Sequence, residues 1–251
     1  RISSSTNSVF FNNTATSSTG KGLLFSTAGS NNITNNTIAS NTGIAISLEA
    51  ASTNNLLANT TIFTNLTWIA ADSTSSGNNL TNTLFEGANG SIRILTNFTL
   101  PTNVNVSVSK LNISFNRAYL NSTNLTFLNT TAEISLFGIT STNPIALVDL
   151  EDDGTFATCN ATRCTNISYS GGRFVFNVTG FTTYSSEETV SGCGSISSDT
   201  TLINNVTATG TCFTITADNV TLDCAGFSIF YGVAGSGVGI EATGCNNLTI
   251  S

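Results

Sequence analysis

The chain has 251 residues, of which 39% are apolar and 8% charged, and its net charge is −7. That acidic balance excludes the basic footprint that nucleic-acid binding needs, and no apolar run reaches the roughly 18 residues of a membrane span. The apolar share is also too high for a disordered chain.

The polar remainder is mostly uncharged: 43 Thr, 32 Ser and 33 Asn stand against 7 Asp. Thr with Val, Ile and Phe favours strands, and Asn with Gly favours tight corners. With two Pro to interrupt it, the chain reads as all-β, without a helical pattern. It contains no Met, which points to a processed chain or an internal piece of something longer.

Residues 1–98 carry a repeat. Units start at Asn32, Asn55 and Asn79, in steps of 23 and 24, and a weaker copy starts at Asn7. Each unit has short apolar/polar alternation, a Gly or Asn corner and a second apolar run. A period just over 20 with strands and no helix predicts a coil-by-coil β-solenoid of about four coils. Alternation places Ile44, Ile46, Leu48, Ile62, Ile69, Leu84, Ile92 and Ile94 inside and the Thr and Ser outside.

Around Phe98-Thr99-Leu100-Pro101 the period stops. Residues 99–189 hold alternating runs of 5–8 residues separated by Asn, Gly and Ser turns, the pattern of a β-sandwich. Cys159 and Cys164 lie in one loop and are expected to form a local disulfide. Asp149, Glu151, Asp152 and Asp153, closed by Gly154, offer oxygen-only ligands and make this loop a Ca²⁺ candidate. An acidic hairpin turn is the simpler reading. Residues 185–189 read as a polar linker.

From residue 190 to 251 the solenoid pattern returns, with Cys193, Cys212, Cys224 and Cys245 each heading a similar segment. The steps 193 to 212 and 224 to 245 are 19 and 21, each about one coil. Residues stacked one coil apart fall within disulfide range, so Cys193–Cys212 and Cys224–Cys245 are expected; 193–245 with 212–224 is the rival connectivity. Six Cys without His or a paired CxxC argue for disulfides in an oxidising, extracellular setting rather than for zinc.

Nineteen N-x-[ST] sequons occur, at Asn12, Asn32, Asn35, Asn59, Asn65, Asn79, Asn89, Asn97, Asn105, Asn112, Asn121, Asn124, Asn129, Asn160, Asn166, Asn177, Asn205, Asn219 and Asn247. Composition alone gives about 10. The excess points to a secreted protein carrying covalent N-glycans. The competing explanation is that Asn-x-Thr simply suits a corner that enters a strand.

The segments DNVTLDCAGFSI, GIEATGCNNLTI and NNITNNTIASNTGIAI resemble the parallel β-helix repeats of NosD-like and pectin-lyase-like surface proteins. Similar repeats occur in long secreted archaeal proteins, which also carry a sandwich module resembling AEISLFGI…VDLEDDG…C…C…YSGGRFVFNVTGFTTYS. The resemblance implies right-handed parallel β-helix segments, 1–98 and 190–251, flanking a β-sandwich at 99–189. It also implies a cleft lined by charged residues, from which this chain departs. Glu49, Asp72, Glu86, Asp199, Asp218, Asp223 and Glu241 show no two carboxylates at matching coil positions, as a glycosidase pair would require. Without His there is no Ser-His-Asp triad. No catalytic residue is assigned, and no cofactor other than the candidate Ca²⁺.

The expectation is therefore a structural subunit of a heavily N-glycosylated extracellular filament or sheath. The chain would partner itself head-to-tail through open β-helix edges, as separate chains or as repeats of a polyprotein. The alternatives are a carbohydrate-binding or carbohydrate-active β-helix, with Trp68 and Tyr231 as stacking platforms, and a surface-layer or adhesin tile.

Overall fold

A coil that turns three corners in 23 residues needs backbone conformations that most side chains resist, and Asn tolerates them best. The computed structural model, which describes residues 1–141 and 143–251, shows how the chain meets that need. Three rows of positive-φ residues run along the amino-terminal solenoid: Ser4, Thr27 and Ala50; Asn7, Ser30, Asn54 and Gly77; and Asn12, Asn35, Asn59 and Asn82. Gly77 has φ +66, and a Cβ there would meet the Oδ1 of the exposed Asn54 at 2.2 Å, so a side chain at this corner is strained and requires Asn54 to move.

Between the corners lie short strands. The first coil comprises β1 (Ile2–Ser3), β2 (Val9–Phe11) and β3 (Thr14–Ser17), and the second β4 (Leu23–Ser26), β5 (Asn32–Thr34) and β6 (Thr37–Ser40). The third has β7 (Ile44–Glu49), β8 (Leu56–Ala58) and β9 (Thr61–Thr64), and the fourth β10 (Thr67–Ala71), β11 (Asn79–Thr81) and β12 (Thr83–Gly87). Each strand pairs in parallel with its counterpart one coil on, which makes three faces. The chain is all-β, and its solenoid is a parallel β-helix.

Register turns the inward residues into stacked rows. Ile2, Phe25, Leu48 and Ala71 form one, Leu23, Ile46 and Ile69 a second, Ile33, Leu57 and Leu80 a third, and Ile38, Ile62 and Phe85 a fourth. All of them are buried, and burial of each large side chain contributes roughly 1.5–3 kcal/mol. Phe85, not Leu84, is the inward residue of β12, because Phe85 pairs with Ile62. Ile44 is only half-buried. The hydroxyl residues are not all outside: Ser40, Ser47, Ser52, Thr60, Ser75 and Thr83 are buried. Ser52 and Ser75 accept the backbone N–H groups of Ala28 and Ser52 at 3.2 and 3.1 Å.

The fourth coil ends the parallel stacking on every face. Three strands, β13 (Gly90–Ile94), β14 (Phe98–Thr99) and β15 (Val104–Ser107), pair antiparallel with β12, β11 and β10. The antiparallel region continues with β16 (Leu111–Ser114), β17 (Arg117–Leu120), β18 (Ala132–Phe137), β19 (Pro144–Asp149), β20 (Ala157–Thr158), β21 (Cys164–Ser170), β22 (Arg173–Val178) and β23 (Thr183–Val190). β13, β18, β22 and β21 pair in that order. Phe174, Phe176, Phe181 and Tyr184 form its aromatic core. The Tyr184 hydroxyl donates back to the Gly180 carbonyl, a corner device common in antiparallel sandwiches.

The last strands are β24 (Gly194–Ile196), β25 (Thr200–Leu202), β26 (Val206–Thr207), β27 (Phe213–Ile215), β28 (Thr221–Asp223), β29 (Ile229–Phe230), β30 (Ile240–Ala242) and β31 (Thr249–Ile250). They again make three parallel faces, around Ile196, Leu202, Val206, Phe213, Ile215, Val220 and Leu222. Residues 185–189, expected as a linker, belong to β23, with Ser186 and Thr189 buried.

By contact the chain divides into two compact units, Arg1–Ile139 with Val148–Ser185, and Thr140–Leu147 with Ser186–Ser251. The amino-terminal coils and most of the antiparallel strands share the first unit because β13, β14 and β15 pair directly onto the fourth coil.

Candidate functional site

The surface of the first unit is organised by asparagine. Asn31, Asn55 and Asn78 form a buried ladder, in which Nδ2 of Asn31 and of Asn55 each donates to the next Oδ1 at 2.9 Å. Asn36 is buried at a neighbouring corner and accepts the Asn13 N–H at 2.8 Å. The sequence repeat, marked at Asn32 and Asn79, is thus offset by one residue from the ladder, and those two Asn are exposed strand residues.

The four buried Asn, 31, 36, 55 and 78, all lack a sequon. The nineteen sequon Asn divide differently: none is buried, and only Asn89, Asn112, Asn121 and Asn177 are intermediate. Some exposed sequon Asn also stack. Asn59 Nδ2 donates to Asn35 Oδ1 at 3.0 Å, Asn65 Nδ2 to Asn41 Oδ1 at 2.7 Å, and Asn247 Nδ2 to Asn219 Oδ1 at 3.1 Å.

The cysteines follow coil length. Cys159–Cys164 is a disulfide, and Cys193–Cys212 is a second with Cα atoms 4.6 Å apart. Gly194 pairs with Phe213, 19 residues on, so Cys193 stacks over Cys212. The expected Cys224–Cys245 bond is absent and both are free thiols. The next coil is longer: Thr221 pairs with Thr249, 28 residues on. That register puts Asp223 level with Ser251 and carries Cys224 past Cys245 altogether; the Ser251 carbonyl accepts the Cys224 N–H. Cys245 instead sits by the Ile215 carbonyl, 3.5 Å from its sulfur.

Two carboxylates do occupy matching coil positions. Leu48 pairs in register with Ala71, which sets Glu49 beside Asp72 on the next coil. Lys21 bonds Glu49 and, with the Ser47 hydroxyl, holds its carboxyl below the usual range. Partial burial of Asp72 favours its neutral form, but Thr74, the Ala50 N–H and Ser75 more than offset this, bringing its pKa to about 2. Both groups are therefore ionised at neutral pH, and neither can serve as a general acid. In the second unit, burial pushes the Glu187 carboxyl up against a hydrogen bond from Thr201, with the charges of Asp223 and Asp199 adding to the rise.

In the acidic loop, Asp149 accepts the N–H groups of Asp153 and Gly154 at 3.2 and 2.8 Å. Asp152 accepts the Thr182 and Thr183 hydroxyls at 2.9 and 2.6 Å. Asp153 accepts the Thr155 N–H at 2.8 Å, which with the Thr155 hydroxyl lowers its pKa. Glu151 is exposed. Among the described residues no group of three or more His, Cys, Asp or Glu converges as a metal site. Trp68 is no platform: it is buried against Phe85, with Nε1 donating to the Leu111 carbonyl at 2.9 Å. Tyr231 is exposed.

On the outer face of the first unit lies a groove of about 280 Å³, lined by Phe63, Asn41, Asn65, Glu86 and small residues around them.

Residues 1–94 match the NosD family model, described as periplasmic copper-binding protein. The NosD match spans the four coils and the strand that caps β12. No curated protein and no solved structure matches the chain. Copper favours imidazole and sulfur ligands, and the NosD-like residues contain no His, Met or Cys. Their carboxylates are Glu49, Asp72 and Glu86, the first two already engaged by protein donors. These residues do not fit copper. Among the described residues no helix is long and apolar enough to cross a membrane.

Proposed function

We propose that this chain is a non-catalytic structural subunit of an N-glycosylated filament or sheath outside the cytosol, elongating head-to-tail through β-helix edges. The observation that carries this reading is the in-register parallel stacking of the amino-terminal solenoid: on each of three faces the strands of one coil pair with those of the next, so a coil of a second copy can add by the same pairing. A parallel edge with unpaired N–H and C=O groups is a template for another coil, and a contact that does not close on itself generates a filament.

The separation of sequon Asn from buried Asn supports glycosylation, since a motif that merely suited corners would also appear at Asn31, Asn36, Asn55 or Asn78. The two disulfides agree with an oxidising compartment.

The test is electron microscopy of the assembled secreted protein, combined with sedimentation of the purified chain over a range of concentrations. Rods with β-helix coils in register across subunit joints are expected. A monomer at every concentration, with concentration-independent melting, would overturn the filament.

A further inference from the structure

The groove around Phe63 lies where register puts one large residue among small ones. Ala39, Phe63 and Glu86 are in register on β6, β9 and β12, and their outward side chains form a single row. Ala39 on one side, with Gly87 and Ala88 beyond the corner, leaves the ring of Phe63 half-exposed beside open volume. That volume, about 280 Å³, is on the scale of one sugar ring. Asn65 lines the same space two residues after Phe63, and it is the Asn of the sequon Asn65-Leu66-Thr67.

The amide of Asn65 is held and still substitutable. One N–H of Nδ2 donates to Asn41 Oδ1 at 2.7 Å, and a primary amide has a second. Replacing that second hydrogen keeps the bond to Asn41 and so keeps the amide oriented.

We propose that Asn65 is a glycan attachment site whose first sugar lies in this groove, with its C–H face against the Phe63 ring. Its hydroxyls then meet the amide of Asn41 and the carboxylate of Glu86, while the apolar face covers an aromatic surface that water otherwise wets. The inference rests on the N-glycosylation in the reading above, and adds to it the site and the residue that receives the sugar. A separate transferase supplies the glycan from a lipid-phosphate-linked oligosaccharide. The bond from sugar C1 to the phosphate oxygen breaks, the C1–Nδ2 bond forms, and the displaced Nδ2 proton leaves with the phosphate.

Glycopeptide mass spectrometry of the secreted protein, followed by denaturant unfolding of wild type, Phe63→Leu, Asn65→Gln and the double variant, tests this. Phe63→Leu keeps an apolar side chain and removes the ring face, so it leaves the fold intact; Phe63→Ala serves as a second variant. Asn65 is expected to carry a glycan, and Phe63→Leu should lower the folding equilibrium constant several-fold more with Asn65 present than in the Asn65→Gln background. Glycans at other sequons with Asn65 bare, or strictly additive effects of the two substitutions, would overturn the inference while leaving glycosylation standing. An absence of glycan at every sequon would overturn both. Binding of free oligosaccharide to protein with bare Asn65 would assign the groove to a diffusible ligand and also overturn the inference.

Discussion

Asn55 gives Asn78 both its amide and its backbone: Nδ2 and the main-chain N–H donate to the same Oδ1, at 2.9 and 3.1 Å. Asn31 makes the same two bonds to Asn55, and Asn55 Nδ2 also donates to the Ala28 carbonyl at 2.9 Å. One buried side chain therefore satisfies polar groups on both flanking coils. Asn55→Ala would leave several of them unpaired, and an unpaired buried polar group costs about 1–3 kcal/mol. The expected loss is about 3 kcal/mol or more, read from the denaturant midpoint. Asn32→Ala, one residue past the ladder and exposed, should change stability by less than about 0.5 kcal/mol.

The ladder also shows what the sequence could and could not reveal. The period, the number of coils, the all-β class and the break after Phe98 were legible because each coil repeats its apolar alternation and its Asn corners. Which of two adjacent Asn is buried was not, since Asn31-Asn32 and Asn78-Asn79 are identical pairs and only the αL residue before each ladder Asn sets the phase. Leu84 and Phe85 pose the same ambiguity, resolved by pairing with Ile62. Cys193–Cys212 was legible because that coil is short. Cys224–Cys245 was misread because the following coil is longer, and loop length can change at a corner without disturbing the stacked faces. The Glu49–Asp72 pair was missed although its spacing of 23 residues equals the period.

The free thiols give a direct chemical test of that longer coil. Cys224 and Cys245 are both half-buried and unpaired. Alkylation of the unreduced, denatured chain should add two labels, at Cys224 and Cys245, and reduction should release four more. Labels in the Cys193 or Cys212 peptides before reduction would show that the coil from Cys193 to Cys212 is not closed as described.

Asp72 and Glu187 predict opposite pH dependences. The lowered pKa of Asp72, about 2 against an ordinary 3.8, means that its contribution is present above the ordinary value and is lost as pH falls towards 2. Asp72→Asn should therefore destabilise the protein at pH 7, by an amount that shrinks steadily as pH falls from about 4 towards 2. Glu187 has a raised pKa, so its contribution is complete below 4.5 and is lost as pH rises through its folded value. Glu187→Gln should stabilise the protein at pH 7, and that gain should fade below 4.5. Both groups retain solvent contact, so each effect is expected to stay below about 1 kcal/mol. Melting temperatures of the two variants and wild type from pH 2 to 7 check the signs.

The head-to-tail reading can be tested at a single backbone N–H. At the two ends of β2, Asn12 donates its N–H to the Thr34 carbonyl and the Ser8 carbonyl accepts the Asn32 N–H, so the even-numbered residues bond to β5. By the alternation of a parallel ladder, the N–H groups of Val9 and Phe11 point away from β5, to the side where a further coil would add. Phe11 is 60% exposed, so its side chain contributes little to the core. Proline is accepted on an edge strand when its missing N–H faces away from the sheet, and Phe11→Pro should leave the coil folded. It removes one edge donor and sets a ring where the next coil would dock. The expected outcome is an unchanged β-rich circular dichroism spectrum and melting of the isolated chain, with assembly abolished in sedimentation. Phe11→Ala, which keeps the N–H, should still assemble. If Phe11→Pro elongates as wild type does, β2 is not the docking edge.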